Sequence, residues 1–486
     1  MPSEGPPPRP MRVFRFPIRP TLLVLACAAI SVPACAESTG RSPNIILIVS
    51  DDQGFDLGAF GSKQFVTPNL DRMAAEGVRA TNFYVAASVC TPSRSGLVTG
   101  RYPQRNGTYE MITNVNSALS PSEYAISPEM TLGLDVREKT FGDVLKTAGY
   151  TNAVIGKWDL GQARRFLPLQ RGFDFFLGHG NNGIDYYTHE RYGAPSMFRN
   201  NTLTSVDRGT YATDIFRREA VGFIRQNKDR PFFLYLPFNA PHAASTLSVR
   251  NGSKDSYQVP EKYLQKYYPH RDPNSTETKY AAMISAMDEA IGAVFDALRE
   301  FQLDRTTFVL FFADNGRKGG RVDGVQLRGG KASGFEGGLR VPFIAWWPGM
   351  IPGGRVIADF LTALDVLPTC TAVSDAFPPD VHLDGFNMLP VLLGKTASPR
   401  REMFWEWPKS YQAARVDHYK WVSSVPLGNK ENAAPKEELF DLSVDPGEQH
   451  NLAAEKPEVL ARLRARFARW RAEMDATPPR GPFRNY

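Results

Sequence analysis

The stretch Cys90-Thr91-Pro92-Ser93-Arg94, continued by Ser95-Gly96-Leu97-Val98-Thr99-Gly100-Arg101, brings a thiol, hydroxyls and a guanidinium close together. A proline two positions after the cysteine predicts a helix start, because a first-turn residue has no partner for its N–H. Helix N-termini present free backbone N–H groups and a partial positive charge, so they bind anions. Arg94 adds a planar fork of donors suited to a tetrahedral oxyanion. A cysteine beside an arginine is more often a small core residue next to a surface cation. The motif therefore needs support from the rest of the chain.

That support comes from the ends of apolar runs. Asn44 to Ser50 leads into Asp51-Asp52, and Asn152 to Ile155 into Gly156-Lys157-Trp158-Asp159. Pro231 to Phe238 leads into Asn239-Ala240-Pro241-His242, and Phe308 to Ala313 into Asp314-Asn315-Gly316. Continuous β-branched and aromatic runs of this kind predict strands buried on both faces. An isolated Asp-Asp pair is usually a solvated turn. Polar groups placed past the C-terminal ends of four runs instead mark the ligand edge of an open α/β sheet.

Helical stretches alternate with the runs: Pro68 to Gly77, Thr140 to Gly149, Asp214 to Gln226 and Thr278 to Phe301. In the last, Ala282, Met283, Ala286, Met287, Ile291, Val294, Phe295 and Leu298 recur at helical spacing and read as a core stripe. The alternation predicts an α/β fold with a doubly wound, mainly parallel sheet. Asp51, Asp52, Asp314 and Asn315 offer only oxygen donors, which suits Ca²⁺ or Mg²⁺. No His/Cys cluster has zinc spacing.

Cys-x-Pro-Ser-Arg with the trailing Gly-x-x-Thr-Gly-Arg resembles the signature of the type I sulfatases. The phosphatases built on cysteine-x5-arginine are excluded, because Gly96 stands where their arginine would be. The resemblance extends to Asp51-Asp52, Ala240-Pro241-His242 and Asp314-Asn315-Gly316. It also takes in Leu327-Arg328-Gly329-Gly330-Lys331 with Phe335-Glu336-Gly337-Gly338-Leu339-Arg340-Val341-Pro342, and the closing Glu438-Leu439-Phe440-Asp441-Leu442 with Asp445-Pro446 and Glu448-Gln449-His450-Asn451-Leu452. It runs from about Pro43 to about Leu463. It implies an alkaline-phosphatase-like core over 43–395 and a smaller C-terminal α+β subdomain over 396–486, an antiparallel sheet plus a helix.

The same resemblance implies the chemistry. Cys90 would be oxidised by a formylglycine-generating maturation enzyme to an aldehyde, whose hydrate attacks the sulfur of a sulfate ester. Asp51, Asp52, Asp314, Asn315 and the oxygen on residue 90 would hold the cation. Six or more oxygens, sulfate included, lean towards Ca²⁺, with Mg²⁺ the alternative. Arg94, Lys157 and Lys331 would hold sulfate oxygens and stabilise developing charge. His242 would protonate the departing alcohol.

One position departs from the family. Its usual Gly-Lys-Trp-His-Leu-Gly reads Gly156-Lys157-Trp158-Asp159-Leu160-Gly161 here. A carboxylate can accept a proton in the histidine's place, so Asp159 is expected to act as the base that helps expel sulfate. The polar residue that contacts sulfate near Gly178 is also not matched, and His179 or Asn181 is expected to fill that role. Tyr186, Tyr187, His189 and Arg191 are candidates for a carbohydrate subsite, although aromatic stretches more often pack.

At the N-terminus, Arg12, Arg15 and Arg19 precede the apolar run Thr21 to Val32 and then Ala34-Cys35-Ala36. This pattern predicts a secretory signal peptide over 1–36. The run is too short for a membrane span. The chain is thus read as exported, periplasmic or secreted. Val32-Pro33-Ala34-Cys35 loosely resembles a lipoprotein box, but its proline is unusual, so anchoring through Cys35 ranks second. Past Ala36 only Cys90 and Cys370 remain, which excludes a disulfide framework and leaves Cys370 as a packing residue. A net charge of +6 over 486 residues, with no long basic block, fits an anionic substrate and gives no nucleic-acid footprint. The Arg-rich stretch Pro457 to Met474 carries Leu460, Leu463, Phe467 and Trp470 on one helical face and is expected to dock onto the body.

The reading that results is a sulfatase acting on small-molecule or glycan sulfate esters, with no oligomeric state assigned. Two alternatives share the metal and anion groups: a phosphodiesterase or phosphonate monoester hydrolase of the same fold, and a catalytically dead sulfated-glycan-binding protein.

Overall fold

Seven strands carry the site-bearing part of the molecule: β1 (Asn44–Ser50), β2 (Val78–Tyr84), β3 (Thr151–Lys157), β4 (Phe175–His179), β5 (Phe232–Pro237), β6 (Thr307–Ala313) and β7 (Arg340–Trp346). The computed structural model describes residues 41–113, 121–250, 255–425 and 434–481, with Met1, Pro2, Gly5 and Pro7 before them. Apart from those four residues, the leader expected over 1–36, with Cys35 and the cleavage point, lies outside the described residues.

The seven strands lie in the order β2-β7-β6-β1-β5-β3-β4, inside a sheet of eleven strands among the described residues. The five from β6 to β4 are mutually parallel. Strand β7 pairs antiparallel with β6, and β2 antiparallel with β7, so β2 again runs in the direction of the five. The expected doubly wound, mainly parallel sheet is therefore present. Of its parallel strands, β4 was not expected from the sequence.

The main helices are α1 (Pro68–Glu76), α2 (Cys90–Thr99), α3 (Phe141–Lys146), α4 (Ala212–Asn227), α5 (Thr276–Glu300), α6 (Val366–Ser374) and α7 (Pro457–Ala476). The first six divide between the two faces of the sheet. Strand residues alternate in direction. Ile46 and Ile48 of β1 therefore pack with α1, α4 and α5 on one face. Ile45, Leu47 and Val49 pack with α2, α3 and α6 on the other, where Cys370 is a core residue. Helix α3 opens on a capping box of Thr140 and Asp143 and is shorter than expected at its other end, where tight turns lead to Gly149 at φ 78. Strands β3 and β5 pass so close that a Cβ on Gly156 would stand 2.0 Å from the Pro237 carbonyl oxygen, which only glycine allows.

After the main sheet the chain forms an antiparallel meander of β8 (Glu402–Trp407), β9 (Tyr411–Val416), β10 (Tyr419–Ser424) and β11 (Lys436–Asp441). This is the expected C-terminal α+β part. Helix α7 lays Leu463, Phe467, Trp470 and Met474 onto it, in a cluster that also takes in Tyr84 and Tyr102. On the outer face Arg464, Arg466 and Arg471 pair with Glu437, Glu402 and Glu406 of the meander. The helix is thus docked, as its stripe predicts. Among the described residues no helix is long and apolar enough to cross a membrane.

Candidate active site

Register collects the chemistry. Ser50 lies opposite Ala313, Val49 opposite Pro237, and Lys157 opposite His179. The residues past the ends of β1, β3, β4, β5 and β6 therefore emerge along one edge of the sheet. Helix α2 starts there. Its N-cap Val89 is extended, Cys90 is its first residue, and all ten of its residues are buried.

Cys90 Sγ lies 3.4 Å from Asp51 Oδ1, 3.9 Å from Asp52 Oδ1 and 3.3 Å from Lys331 Nζ. Lys331 also donates to Asp52 Oδ2 at 2.8 Å. Lys157 Nζ donates to Asp51 Oδ2 at 2.6 Å with both groups fully buried. The pairing decides the charge states. Burial alone would neutralise Lys157, but Asp51 beside it holds its pKa above the ordinary lysine value. Burial also opposes ionisation of Asp52, yet the charge and hydrogen bond of Lys331 outweigh it and hold the carboxyl below the usual range. Burial, and then Asp51, push the Cys90 thiol well up.

Arg94 is anchored to a carboxylate of the site. Its Nε donates to Asp314 Oδ2 at 2.9 Å and one terminal nitrogen to the Lys157 carbonyl at 3.0 Å, with no exposed surface. A buried guanidinium needs fixed acceptors, and Arg94 finds them in Asp314 and the Lys157 carbonyl, while its other terminal nitrogen is buried without a hydrogen-bond partner. Ser93 Oγ donates to the Asp314 backbone carbonyl. Asp314 Oδ1 accepts from the Asp52 amide at 3.2 Å.

Asp159 sits with φ 56, in the left-handed region that aspartate tolerates better than most residues. Its Oδ1 accepts from the Thr91 hydroxyl at 3.1 Å. Its Oδ2 is buried with no hydrogen-bond partner, 3.7 Å from Lys157 Nζ. Burial raises its pKa to about 6, against the pull of Lys157 and Arg94. His242 is partly exposed. Its Nδ1 lies 2.7 Å from the Ala243 carbonyl and its Nε2 3.5 Å from Asp52 Oδ2. Burial and then Lys331 hold its pKa down to about 3, so the imidazole is neutral at physiological pH.

His179 and Asn181 are brought to each other. His179 Nδ1 lies 2.9 Å from the Asn181 carbonyl, and its Nε2 is buried without a partner. The Asn181 amide donates to Ser196 Oγ at 3.0 Å. Three of the four candidates for a sugar subsite are engaged elsewhere, and Tyr187 packs its ring 5.6 Å from that of Tyr211. Tyr186 is buried, its hydroxyl bonded to the carbonyls of Asn239 and His242 at 2.7 and 2.8 Å. His189 lies on the Thr210 carbonyl, and Arg191 forks onto Glu129 at 2.7 to 2.9 Å. These groups shape the wall behind the site. Sequence reasoning missed Thr91, Ser93 and Tyr280, whose hydroxyl donates to the Asp52 carbonyl at 3.2 Å. The first two lie inside the cysteine motif and were visible there.

Asp51, Asp52, Cys90 and His242 present ligand-type atoms all within 4.8 Å of one another. Asn315 donates its amide to Asp52 Oδ1 at 2.8 Å and leaves its own Oδ1 buried and unpartnered. A concentration of carboxylate oxygens with an orphaned amide oxygen fits a hard divalent cation. Of the expected ligands, Asp51, Asp52, Cys90 and Asn315 face this point, and Asp314 stands beside it in the grip of Arg94. His242 joins the group, a position the sequence marked only as an acid.

The comparisons with known proteins agree with this geometry. The sulfatase family profile matches residues 43–376, and that of the N-sulphoglucosamine sulphohydrolase C-terminal region matches residues 331–473. Human N-acetylgalactosamine-6-sulfatase is 32% identical over 476 residues, covering 88% of this chain and 85% of the relative. Human arylsulfatase A is 31% identical over 528 residues, covering 95% and 93%. The crystal structure of Ps i-CgsB in complex with k-i-k-neocarrahexaose superposes with a TM-score of 0.74 at 28% identity, over 88% of this chain and 93% of the other. The chain belongs to the type I sulfatase family. It is a sulfuric ester hydrolase, with a mainly parallel α/β sheet of the alkaline-phosphatase type and a C-terminal α+β region.

Proposed function

We propose that this enzyme hydrolyses sulfate monoesters, on a sulfated carbohydrate or an aryl alcohol, with formylglycine made from Cys90 and a divalent cation, Ca²⁺ before Mg²⁺. The observation that carries the reading is the position of Cys90. It is the first residue of α2, within 3.4 Å of both Asp51 Oδ1 and Lys331 Nζ. When present, the aldehyde hydrate supplies an oxygen nucleophile and the cation draws charge from the sulfate oxygens.

The chain's own residues supply the rest. Lys157 and Lys331 are held protonated by Asp51 and Asp52 and stabilise negative charge on the transferred group. The N-terminus of α2 adds its free backbone N–H groups. Arg94 keeps Asp314 ionisable in a dry site and so keeps the oxygen ligand set intact. Asp159 Oδ2, buried and otherwise unpartnered, takes the proton whose removal releases sulfate. His242 Nε2 and Lys331 Nζ lie on the solvent side, where the leaving alcohol needs a proton. His242 is neutral here, which makes Lys331 the group on that side already carrying a proton. His179 is offered as a further contact for sulfate, through its unpartnered Nε2, with Asn181 holding the ring.

A glycan substrate is supported by relatives named for a sulfated amino sugar and by a structural neighbour bound to a neocarrahexaose. The leader over 1–36 makes the enzyme an exported one, periplasmic or secreted, that meets its substrate outside the cytoplasm. The test is the mass of the tryptic peptide containing Cys90, combined with turnover of an aryl sulfate before and after chelation. An unconverted thiol in fully active enzyme would overturn the formylglycine reading.

A further inference from the structure

Lys331 sits in a glycine-rich loop whose own hydrogen bonds include Gly337 N–H to the Arg328 carbonyl at 2.7 Å and Ser333 N–H to the Gly330 carbonyl at 3.1 Å. Between Leu327 and Leu339 the chain carries Gly329, Gly330, Gly334, Gly337 and Gly338, and Ala332 adopts φ 68. Further contacts on this loop come from β2 and from the C-terminal region, and several are ionic. Lys420 of β10 donates to Glu336 Oε1 at 2.8 Å and lies 3.0 Å from Glu448 Oε1. All three side chains have no exposed surface. Glu448 Oε2 accepts from the Glu336 backbone N–H at 2.7 Å, and Tyr84 donates to Glu336 Oε2 at 2.6 Å. Arg328 forks onto Glu438 at 3.0 and 3.2 Å and stacks 4.0 Å from the Phe335 ring. Ala332 N–H donates to the Ser88 carbonyl at 2.8 Å, and Ser88 Oγ lies 2.7 Å from the Tyr411 hydroxyl of β9.

Buried ion pairs are a poor way to gain stability, since desolvation offsets most of their attraction. Apolar packing would attach the meander as well or better. What charged hydrogen bonds add is direction. Here they are aimed at the backbone of Glu336, five positions after Lys331. Two carboxylates share one ammonium, and burial together with Glu336 pushes Glu448 up to about 7.

We infer that Lys420, Glu448 and Glu336 form a positioning lock through which the C-terminal meander sets Lys331 against Asp52 and residue 90. The inference rests on the reading of Lys331 as a group that holds sulfate. The lock makes the meander part of the catalytic apparatus without any of its residues touching substrate.

The test measures inorganic sulfate affinity by calorimetry, together with kcat/KM on an aryl sulfate and thermal stability. Lys420→Met/Glu448→Gln removes the ammonium and one carboxyl charge together, which keeps the net charge and leaves Glu336 with Arg340 at 3.5 Å and the Tyr84 hydroxyl at 2.6 Å. It should weaken sulfate binding and lower kcat/KM by about tenfold or more, the scale of an ångström-sized displacement. Lys420→Arg should keep both near native. In a Lys331→Ala background the double substitution should cost nothing further. Native sulfate affinity in the folded double variant, or a full additional loss on Lys331→Ala, would overturn the lock. If the double variant fails to fold, Glu448→Asp shortens the reach to the Glu336 N–H at constant charge and carries the same expectation. Lys331→Ala alone separates the two readings: native sulfate binding there would remove the role of Lys331 itself.

Discussion

Replacing Asp159 by asparagine isolates a single proton transfer. The amide oxygen can still accept from Thr91, as Oδ1 does at 3.1 Å, so the loop keeps its anchor. What disappears is the basic Oδ2, which lies 3.7 Å from Lys157 with no hydrogen-bond partner. With a pKa of about 6, about nine-tenths of the molecules carry the carboxylate at pH 7. A positioned general base contributes about 10²- to 10⁴-fold, so kcat should fall by that factor while sulfur transfer survives. Stopped-flow assay with an aryl sulfate should show one fast equivalent of phenol and then near-zero turnover. Sulfate should be retained on the residue-90 peptide in a mass spectrum. The pH dependence has a fixed sign. Burial raises this carboxyl above its ordinary value, and only the ionised form accepts a proton. The native rate is therefore full above about pH 7 and falls as pH drops through about 6, reaching roughly a tenth at pH 5. The asparagine variant should lack that limb. Normal turnover without a burst would refute the reasoning and leave Asp159 a structural residue.

Cys90→Ala should abolish turnover while costing only about 1 kcal/mol of stability, read by thermal melts, because one small side chain leaves a large core. Asp51→Asn should weaken cation binding, so that activity after chelation returns only at higher Ca²⁺; recovery with Zn²⁺ alone would contradict the oxygen ligand set. Arg94→Met leaves Asp314 buried and uncompensated and should cost about 3–5 kcal/mol in denaturant unfolding. A sulfate ester should be hydrolysed faster than a phosphate diester of the same phenol; the reverse order would move the enzyme to the phosphodiesterase reading.

Cys90 and Lys331 were legible from their motifs, and the other legible parts of this site each lie just after an apolar run long enough to be recognised as a buried strand. Asp51, Lys157, His242 and Asp314 all qualify. Strand β4 did not, because Phe175-Phe176-Leu177 is too short a run to stand out, so His179 was found only through the resemblance. Arg94 was legible as a cation near the cysteine but not as the partner of Asp314, since 220 residues separate them. The meander's hold on the Lys331 loop was hidden for the same reason. Lys420 and Glu336 are 84 residues apart, and each alone reads as a surface charge. Tyr186 and Arg191 erred in the other direction: an aromatic and basic stretch resembled a sugar platform, and burial turned it into a wall.

The charge balance of the site gives the exchange of histidine for Asp159 a further consequence. Asp51, Asp52, Asp159 and Asp314 face Arg94, Lys157 and Lys331, so four carboxylates meet three cations among the described residues. A divalent cation reverses that excess and leaves the site suited to a singly charged sulfate ester. The product is a dianion, and a carboxylate at residue 159 repels it where a neutral imidazole would not. At an effective dielectric of about 20, one charge a few ångströms away amounts to a few kcal/mol before screening. Asp159→His should therefore bind inorganic sulfate about tenfold more tightly or better, read as a lower inhibition constant for sulfate against an aryl sulfate. Its burst kinetics should stay absent if the imidazole serves as base. Equal inhibition of the two enzymes would mean that residue 159 does not feel the product's charge, and a base that feels no charge on sulfate is too far away to help release it.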